Sequence, residues 1–457
     1  MLRLKKVSIR NFKSFRKATI NLSGFNVLVG SNSSGKTNFI ELFKLLRNLF
    51  VDPKVPSRPF QDWWNYENIV WNKDTTLPIE IQLDFSLSRQ DSLSNQHSNE
   101  KNYDLIKYKI TFNGNTNTGS LNIIEEILEI SNYLTLTKDD GYLRVRYAVP
   151  FFNKNQKRFD SAGNIKKHAK DYSLSSRISS SSNLIKLLLP SKETRLVEDK
   201  LTLLKWREEF QGKPLSLFSP LVKDKGIFLD SFPKAYENKT LFLIVLQSLQ
   251  EFFKKIIILK SLDIEALKKP VLPRDEDLLD ERGENFQSIL YRDFLKELPE
   301  RIKNGLENLF PKTQLSFKLT ADSRIFMRVF EGSFGSSVEL HPPSISDGFY
   351  KSIIVLTALE QDASIIAIDE IENSLHAKTL EYLLDELKES ASPVIITTHS
   401  PTVVDMIALQ DLIVVEKTVE GSILKRIKNV EKIREKLQEQ GITHSESWLY
   451  GNFGEEG

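Results

Sequence analysis

Apolar and polar residues alternate from the start of the chain: Leu2, Leu4, Val7 and Ile9, then Phe12, Phe15 and Ala18, then Ile20 and Leu22. A period of two is that of a half-buried strand, and the breaks at Asn11 and Ser14 predict two short strands joined by a turn. A third strand, Phe25-Asn26-Val27-Leu28-Val29, runs straight into a loop that carries two glycines. Beyond that loop the period lengthens, and Phe39, Ile40, Leu42, Phe43, Leu45, Leu46 and Leu49 recur at helical spacing. Pro53, Pro56 and Pro59 end the helix and open a loop containing Trp63, Trp64 and Trp71.

Strands resume at 78–87, with Ile79, Ile81, Leu83 and Phe85 on one face, and at 108–112, with a polar stretch between. Residues 184–310 read as mostly helical, interrupted at Pro190, at 212–220 and at 270–273. Strands follow at 315–319 and 325–330. Then come a helix over 346–360, a buried strand at 364–368, a helix over 376–389 and a buried strand at 393–397. Strands alternating with helices predict an α/β fold. No internal repeat and no long heptad run is present. Between Lys154 and Arg177 seven basic residues (Lys154, Lys157, Arg158, Lys166, Lys167, Lys170, Arg177) face only two aspartates, which predicts a basic surface segment.

At 457 residues the chain suggests two or three lobes. Hydrophobic residues at 40% and charged residues at 27% fit a globular protein. The net charge of +2 gives no global argument for nucleic acid, so any such contact rests on a local patch. The absence of cysteine excludes disulfides, thiolate metal sites and cysteine nucleophiles. The basic-apolar alternation of the first residues is not a signal peptide, and the longest apolar runs, 241–246 and 256–259, are too short to span a membrane. These features predict a cytoplasmic protein.

The loop Gly30-Ser31-Asn32-Ser33-Ser34-Gly35-Lys36-Thr37 matches G-x-x-x-x-G-K-[ST] between an apolar strand and an amphipathic helix, the context a phosphate-binding P-loop requires. Its glycines let successive backbone N–H groups converge on phosphate oxygens at a helix N-terminus. Asn32, Ser33, Ser34, Gly35, Lys36, Thr37 and Asn38 are the candidate nucleotide contacts. Lys36 would reach the β- and γ-phosphates, and the Thr37 hydroxyl would ligate Mg²⁺. The apolar run 365–368 ends in Asp369-Glu370, which places two carboxylates at the end of a buried strand. Asp369 is the candidate metal ligand, and Glu370 the candidate base for the attacking water. A second buried strand ends in Thr397-Thr398-His399, making His399 a candidate γ-phosphate or water contact. Ser346-Asp347-Gly348 at a helix start offers another anion site, although locally an ordinary N-cap fits as well.

These four pieces in this order resemble the ABC-type AAA-family ATPases of the SMC, RecF and OLD group. Val7-Ser8-Ile9-Arg10-Asn11-Phe12-Lys13-Ser14-Phe15 resembles the group's first hairpin. Gly283-Glu284-Asn285, with the helix reaching Phe310-Pro311, resembles the lead-in of RecF-like members. The segment Pro343 to Gly348 resembles the signature, and Asp369 to His376 the Walker B and D-loop. The signature helix departs from many relatives in having Phe349 after Gly348. Gln61 and Gln82 remain alternatives for the Mg²⁺-sensing Q-loop glutamine. The resemblance implies an ABC-type P-loop ATPase head with a largely helical inserted lobe: 1–90 and 276–457 would form the head, and 91–275 a mixed, then helical, insertion for dimerisation or recognition.

The resemblance also implies ATP and Mg²⁺ as cofactors and a homodimer or higher homo-oligomer in which Ser346, Asp347 and Gly348 of one copy complete the site of another. SMC-type coiled-coil arms are absent, and the residues after His399 are too few for an OLD-type nuclease domain. The expectation is therefore a stand-alone ATPase. It would act as the sensor of a bacterial or archaeal defence system, controlling a separate nuclease-type effector and contacting DNA through the basic segment. The alternative is a RecF-like repair ATPase that binds DNA junctions. A transporter ATPase is disfavoured because no membrane-coupling segment is recognisable.

Overall fold

The first eleven-residue strand, β1 (Leu2–Phe12), turns back at Lys13 and Ser14 into β2 (Phe15–Asn21), with Phe12 opposite Phe15. Asn11 and Lys13 take positive φ there (56° and 47°), which explains why the alternation breaks at this point. β3 (Phe25–Val29) follows, then the glycine loop and α1 (Lys36–Phe50). The computed structural model describes residues 2–50, 58–88, 103–131, 134–139, 142–150, 167–173, 236–294, 297–332 and 337–450.

After α1 the chain forms β4 (Ile79–Ser88), β5 (Tyr103–Gly114), β6 (Leu121–Ile130), β7 (Leu134–Asp139), β8 (Tyr142–Pro150) and β9 (Lys167–Ser173). Together with β1 and β2 they make an eight-stranded antiparallel sheet in the order β2-β1-β4-β5-β6-β7-β8-β9. The sequence pattern predicts only a short strand at 108–112 within 103–173, whereas the described part of this insertion up to Ser173 is a meander. Polarity out of place hides it: Glu126 and Lys138 are buried among the apolar residues, while Leu105 and Ile124 are exposed. On the face opposite the buried Ile106, Tyr108, Ile110 and Phe112, Lys107 pairs with Glu129, and Lys109 with Glu80 and Glu125. A register shift between Thr111 and Phe112 further blurs the pattern. Of the basic segment, Lys167 and Lys170 stand on β9, opposite Pro150 and Tyr147. Lys154, Lys157, Arg158, Lys166 and Arg177 lie outside the described residues.

The second half brings α2 (Tyr236–Lys254), β10 (Ile256–Leu259), α3 (Ile264–Leu267), α4 (Phe286–Phe294) and α5 (Glu300–Leu309). A small antiparallel sheet of β11 (Thr313–Leu319), β12 (Ile325–Glu331) and β13 (Val338–Leu340) follows. The last elements are α6 (Asp347–Glu360), β14 (Ile365–Ile368), α7 (Ala377–Lys388), β15 (Val394–Thr398), α8 (Pro401–Met406), β16 (Leu412–Thr418), β17 (Gly421–Arg426), α9 (Val430–Gln440) and α10 (His444–Leu449). Of the expected helical stretch 184–310, residues 184–235 lie outside the described residues; from 236 on the expectation is met by α2 to α5 but not by Ile256-Ile257-Ile258-Leu259. This run is a buried strand, and four apolar residues carry no period that separates strand from helix.

The second sheet has the order β10-β14-β15-β3-β16-β17, parallel from β10 to β16 and closed by an antiparallel β17. Its central strands are buried on both faces, which is why they read as nearly continuous apolar runs, with Asn26, Thr397 and Thr398 as buried polar exceptions. Val27 and Val29, Ile366 and Ile368, and Val394 and Ile396 enter one core with α4 to α7. Leu28, Ile365, Ala367 and Ile395 enter the other, which is shared with α1, α2 and the first sheet. α1 is thus packed between two sheets and buries Phe39, Ile40, Leu42, Phe43, Leu45, Leu46, Leu49 and Phe50. Residues 30, 369 and 399 directly follow the adjacent strands β3, β14 and β15, at the carboxyl edge where α/β folds place their ligands.

Candidate functional site

The loop 30–37 is shaped by close backbone approaches. A Cβ on Gly30 would lie 2.3 Å from the Val415 carbonyl oxygen. Gly35, at φ +115°, would bring a Cβ within 2.5 Å of Ser422 Oγ and 2.7 Å of Ser14 Oγ. Ser33 also takes a left-handed φ of 62°. The tip of the β16–β17 hairpin supports the loop: Ser422 Oγ donates to the Ser34 carbonyl (2.5 Å) and Ser422 N to the Ser14 carbonyl (2.7 Å). Asn38, a candidate nucleotide contact, donates its side-chain amide to Ser14 Oγ (2.8 Å) and so braces the same support. Ser31, Asn32 and Ser33 are exposed on the loop, whereas Ser34, Gly35 and Lys36 are buried.

The Lys36 ammonium donates to the carbonyls of Gly30 (2.7 Å) and Ser31 (2.9 Å), which holds its charge across the loop. Burial lowers its pKa from the ordinary lysine value, and the carboxylates of Asp369, Glu370 and Glu372 oppose that shift. A cation in this position favours an incoming anion.

Thr37 Oγ1 donates to both carboxylate oxygens of Asp369 (3.1 and 3.0 Å), and Thr397 Oγ1 donates to Asp369 Oδ1 (2.6 Å). The two candidate metal ligands therefore meet at one point. A hydroxyl and a carboxylate are hard oxygen donors of the kind Mg²⁺ takes when phosphates and water fill its other positions. Among the described residues no group of three or more His, Asp or Glu could hold a metal by itself. The donor set fits a phosphate-bound Mg²⁺ rather than an all-protein cage.

Glu370 sits at φ 49°, with its backbone N–H donating to Thr397 Oγ1 (2.9 Å) and its side chain accepting from Asn373 Nδ2 (2.6 Å). His399 Nδ1 lies 3.0 Å from Glu372 Oε1, which also accepts the His399 backbone N–H (2.8 Å).

Ser346 caps α6, its hydroxyl accepting from Phe349 N (3.2 Å), and Asp347 pairs with Lys268 (3.3 Å). A Cβ on Gly348 would lie 2.6 Å from the Ser374 carbonyl oxygen, so the glycine lets this helix touch the turn after Asp369-Glu370. No hydrogen bond or ion pair among the described residues joins 346–348 to the loop 30–37. Gln61 is exposed, and Gln82 donates to Asp84 on its own strand (2.9 Å). Neither bonds to Thr37 or Asp369.

Four site residues are not among the candidates the sequence offers, although Ser14 lies within the first hairpin's motif. Thr397 links Asp369 to Glu370, and Ser14 and Ser422 brace the loop. Lys351, buried on α6, donates to the carbonyls of Glu370 (2.8 Å) and Asn373 (2.9 Å). Burial pushes Lys351 down to about 8, against the pull of Glu372, Glu370 and Asp369. One signal does point to it: Lys351 is the lone charge in an otherwise apolar helix between Phe349 and Leu359. A separate charge cluster, in which Lys13 and Lys260 both pair with Glu41, lies against Trp63 through Lys13.

A family model described as AAA ATPase domain matches residues 2–404. The chain belongs to the AAA ATPase domain family. Its fold is α/β, with the glycine loop set between β3 of a mostly parallel six-stranded sheet and α1, and no helix among the described residues is long and apolar enough to cross a membrane. This ATPase-domain chain is 32% identical over 87 residues to Endonuclease GajA of Bacillus cereus (strain VD045), covering 19% of the chain and 14% of GajA. It is 32% identical over 69 residues to the chromosome partition protein Smc of Methanocaldococcus jannaschii, covering 15% of the chain and 6% of Smc. The matches thus span only a small part of either relative. Among solved structures, an Smc head bound to the C-terminal winged-helix domain of ScpA is similar at a TM-score of 0.46 and 11% identity, over 94% of this chain and 99% of that one. The SMC head domain from Thermotoga maritima gives 0.35 and 13%, over 93% and 99%.

Proposed function

We propose that the chain hydrolyses ATP with Mg²⁺ in a site completed by a second copy of itself. The observation that carries this reading is the meeting of Thr37 with Asp369 beside Lys36, at the carboxyl edge of adjacent parallel strands. In this reading the loop N–H groups and Lys36 hold the β- and γ-phosphates, and Thr37 and Asp369 hold Mg²⁺. The bound Mg²⁺ supplies charge neutralisation at the phosphates. Glu370 polarises the attacking water and His399 lies near the γ-phosphate. Ser346, Asp347 and Gly348 of a partner copy offer a capped helix N-terminus to the same phosphate.

Lys36→Ala should abolish hydrolysis, whereas Glu370→Gln should bind ATP, stall and accumulate as a dimer in light scattering. Hydrolysis by Lys36→Ala at the wild-type rate would overturn the reading.

For the biological task, we propose a regulatory ATPase of a defence system that controls a separate nuclease-type effector. The likeness to a protein named an endonuclease supports it. The likeness to a chromosome partition protein supports the second reading, a DNA-handling ATPase of RecF-like role. Co-purification of the adjacent gene's product, stronger with Glu370→Gln, favours the first; its absence, together with ATP-dependent junction binding, favours the second.

A further inference from the structure

His399 follows β15, and among the described residues its ring is bonded through Nδ1. Glu372 Oε1 accepts the His399 backbone N–H (2.8 Å) and lies 3.0 Å from ring Nδ1. Glu372 itself is held in a rigid turn: the Ile371 N–H donates to the Thr397 carbonyl (3.2 Å), the Leu375 N–H donates to the Glu372 carbonyl (3.1 Å), and Ile371 is fully buried. The carboxylate side chain is 13% exposed while the imidazole is 42% exposed, so an exposed ring is tied to a largely buried acceptor. The other carboxylate oxygen, Oε2, is buried and has no hydrogen-bond partner among the described residues.

We infer that Glu372 is the positioning residue of His399. An ionised carboxylate only accepts, so a ring nitrogen facing it carries the proton. Nδ1–H therefore faces Glu372, and Nε2 of the neutral ring becomes the acceptor presented on the exposed side. The double acceptance by Oε1 fixes both the backbone entry of residue 399 and the plane of its ring. Carboxylates orient functional imidazoles in this way in other sites.

The inference rests on the reading that His399 works at the γ-phosphate, and two measurements keep the two separable. The first is the ring tautomer, read by ¹⁵N spectroscopy of the full chain labelled at its six histidines, with His399 assigned by the signal that disappears in His399→Ala. The Nδ1–H form is expected in the wild type and a mixture in Glu372→Ala. The second is ATP turnover. Glu372→Ala should lower kcat about tenfold or more at a KM within about twofold, matching His399→Ala. The double variant should lose no more than either single one, because the two act as a unit. Glu372→Gln, whose amide oxygen accepts the same two bonds, should recover most of the rate. Additive losses, or a tautomer unchanged by Glu372→Ala, would overturn the assignment. A wild-type chain without ATP turnover would instead sink the proposed reaction, and the tautomer would still decide the role of Glu372.

Discussion

The Thr37 hydroxyl lies 3.0 and 3.1 Å from the two carboxylate oxygens of Asp369, a residue 332 positions away in the chain. This hydrogen bonding brings α1 to the end of β14, and Thr397 at the end of β15 holds the carboxylate from its other side (2.6 Å). Asp369→Asn keeps the shape and a hydrogen-bonding group but removes the charge a divalent cation needs. The Mg²⁺ concentration for half-maximal ATP turnover should rise by roughly 10- to 100-fold. Metal-free nucleotide binding should change little. An unchanged Mg²⁺ titration of turnover would remove Asp369 from the metal site.

Gly348 and Ser374 meet at a second point that is intolerant of change. A methyl group at 348 would come 2.6 Å from the Ser374 carbonyl, and Ser374 already occupies a left-handed φ of 63°. Neither backbone can give without moving the start of α6 or the turn after Glu370. In a Glu370→Gln background, Gly348→Ala should therefore abolish the ATP-induced dimer seen by light scattering, while each copy still binds nucleotide. A dimer of undiminished stability would argue against 346–348 as the element completing the partner's site.

The legible parts of the site are those whose chemistry is local. Gly30 to Thr37, Asp369-Glu370 and His399 each follow a mostly apolar strand, and burial on both faces of a parallel sheet writes that run into the sequence. The supporting residues are illegible because their partners are distant or featureless. Lys351 meets backbone carbonyls 19 and 22 positions on, and Glu372 meets His399 27 positions on. Nothing in Thr397 alone marks it as the bridge between Asp369 and the Glu370 N–H. The strands between Tyr103 and Ser173 are hidden for another reason: Glu126 and Lys138 are buried while Leu105 and Ile124 are exposed, and these reversals break the alternation.

Replacing Lys154, Lys157, Arg158, Lys166, Lys167, Lys170 and Arg177 by glutamine tests the proposed DNA-binding role of the basic segment. If several of them neutralise phosphates, affinity should fall at every salt concentration. The dependence of log affinity on log salt should also flatten, by roughly 0.9 for each duplex phosphate no longer neutralised. Binding with the same slope would place any DNA surface elsewhere.

Lys351 gives a prediction with a defined pH window. Its ammonium is pushed to about 8 by burial, below the 10.5 of an exposed lysine. Between these values the unfolded chain binds more protons than the folded one, so stability contributed by this group rises with pH across the window. Below about 8 the ammonium is charged in both states and the burial penalty is complete. The shift corresponds to roughly 3 kcal/mol, gained between pH 8 and 10.5. Lys351→Met removes the titration and keeps the side-chain volume. Urea unfolding of both proteins at a series of pH values should show the wild type gaining stability relative to Lys351→Met as the pH rises. Lys13, also pushed to about 8, titrates equally in both proteins and cancels in the difference. Curves that run parallel would show that the α6 lysine is not held charged against burial. The same variant frees the carbonyls of Glu370 and Asn373 from their donor, so kcat should fall while ATP affinity holds.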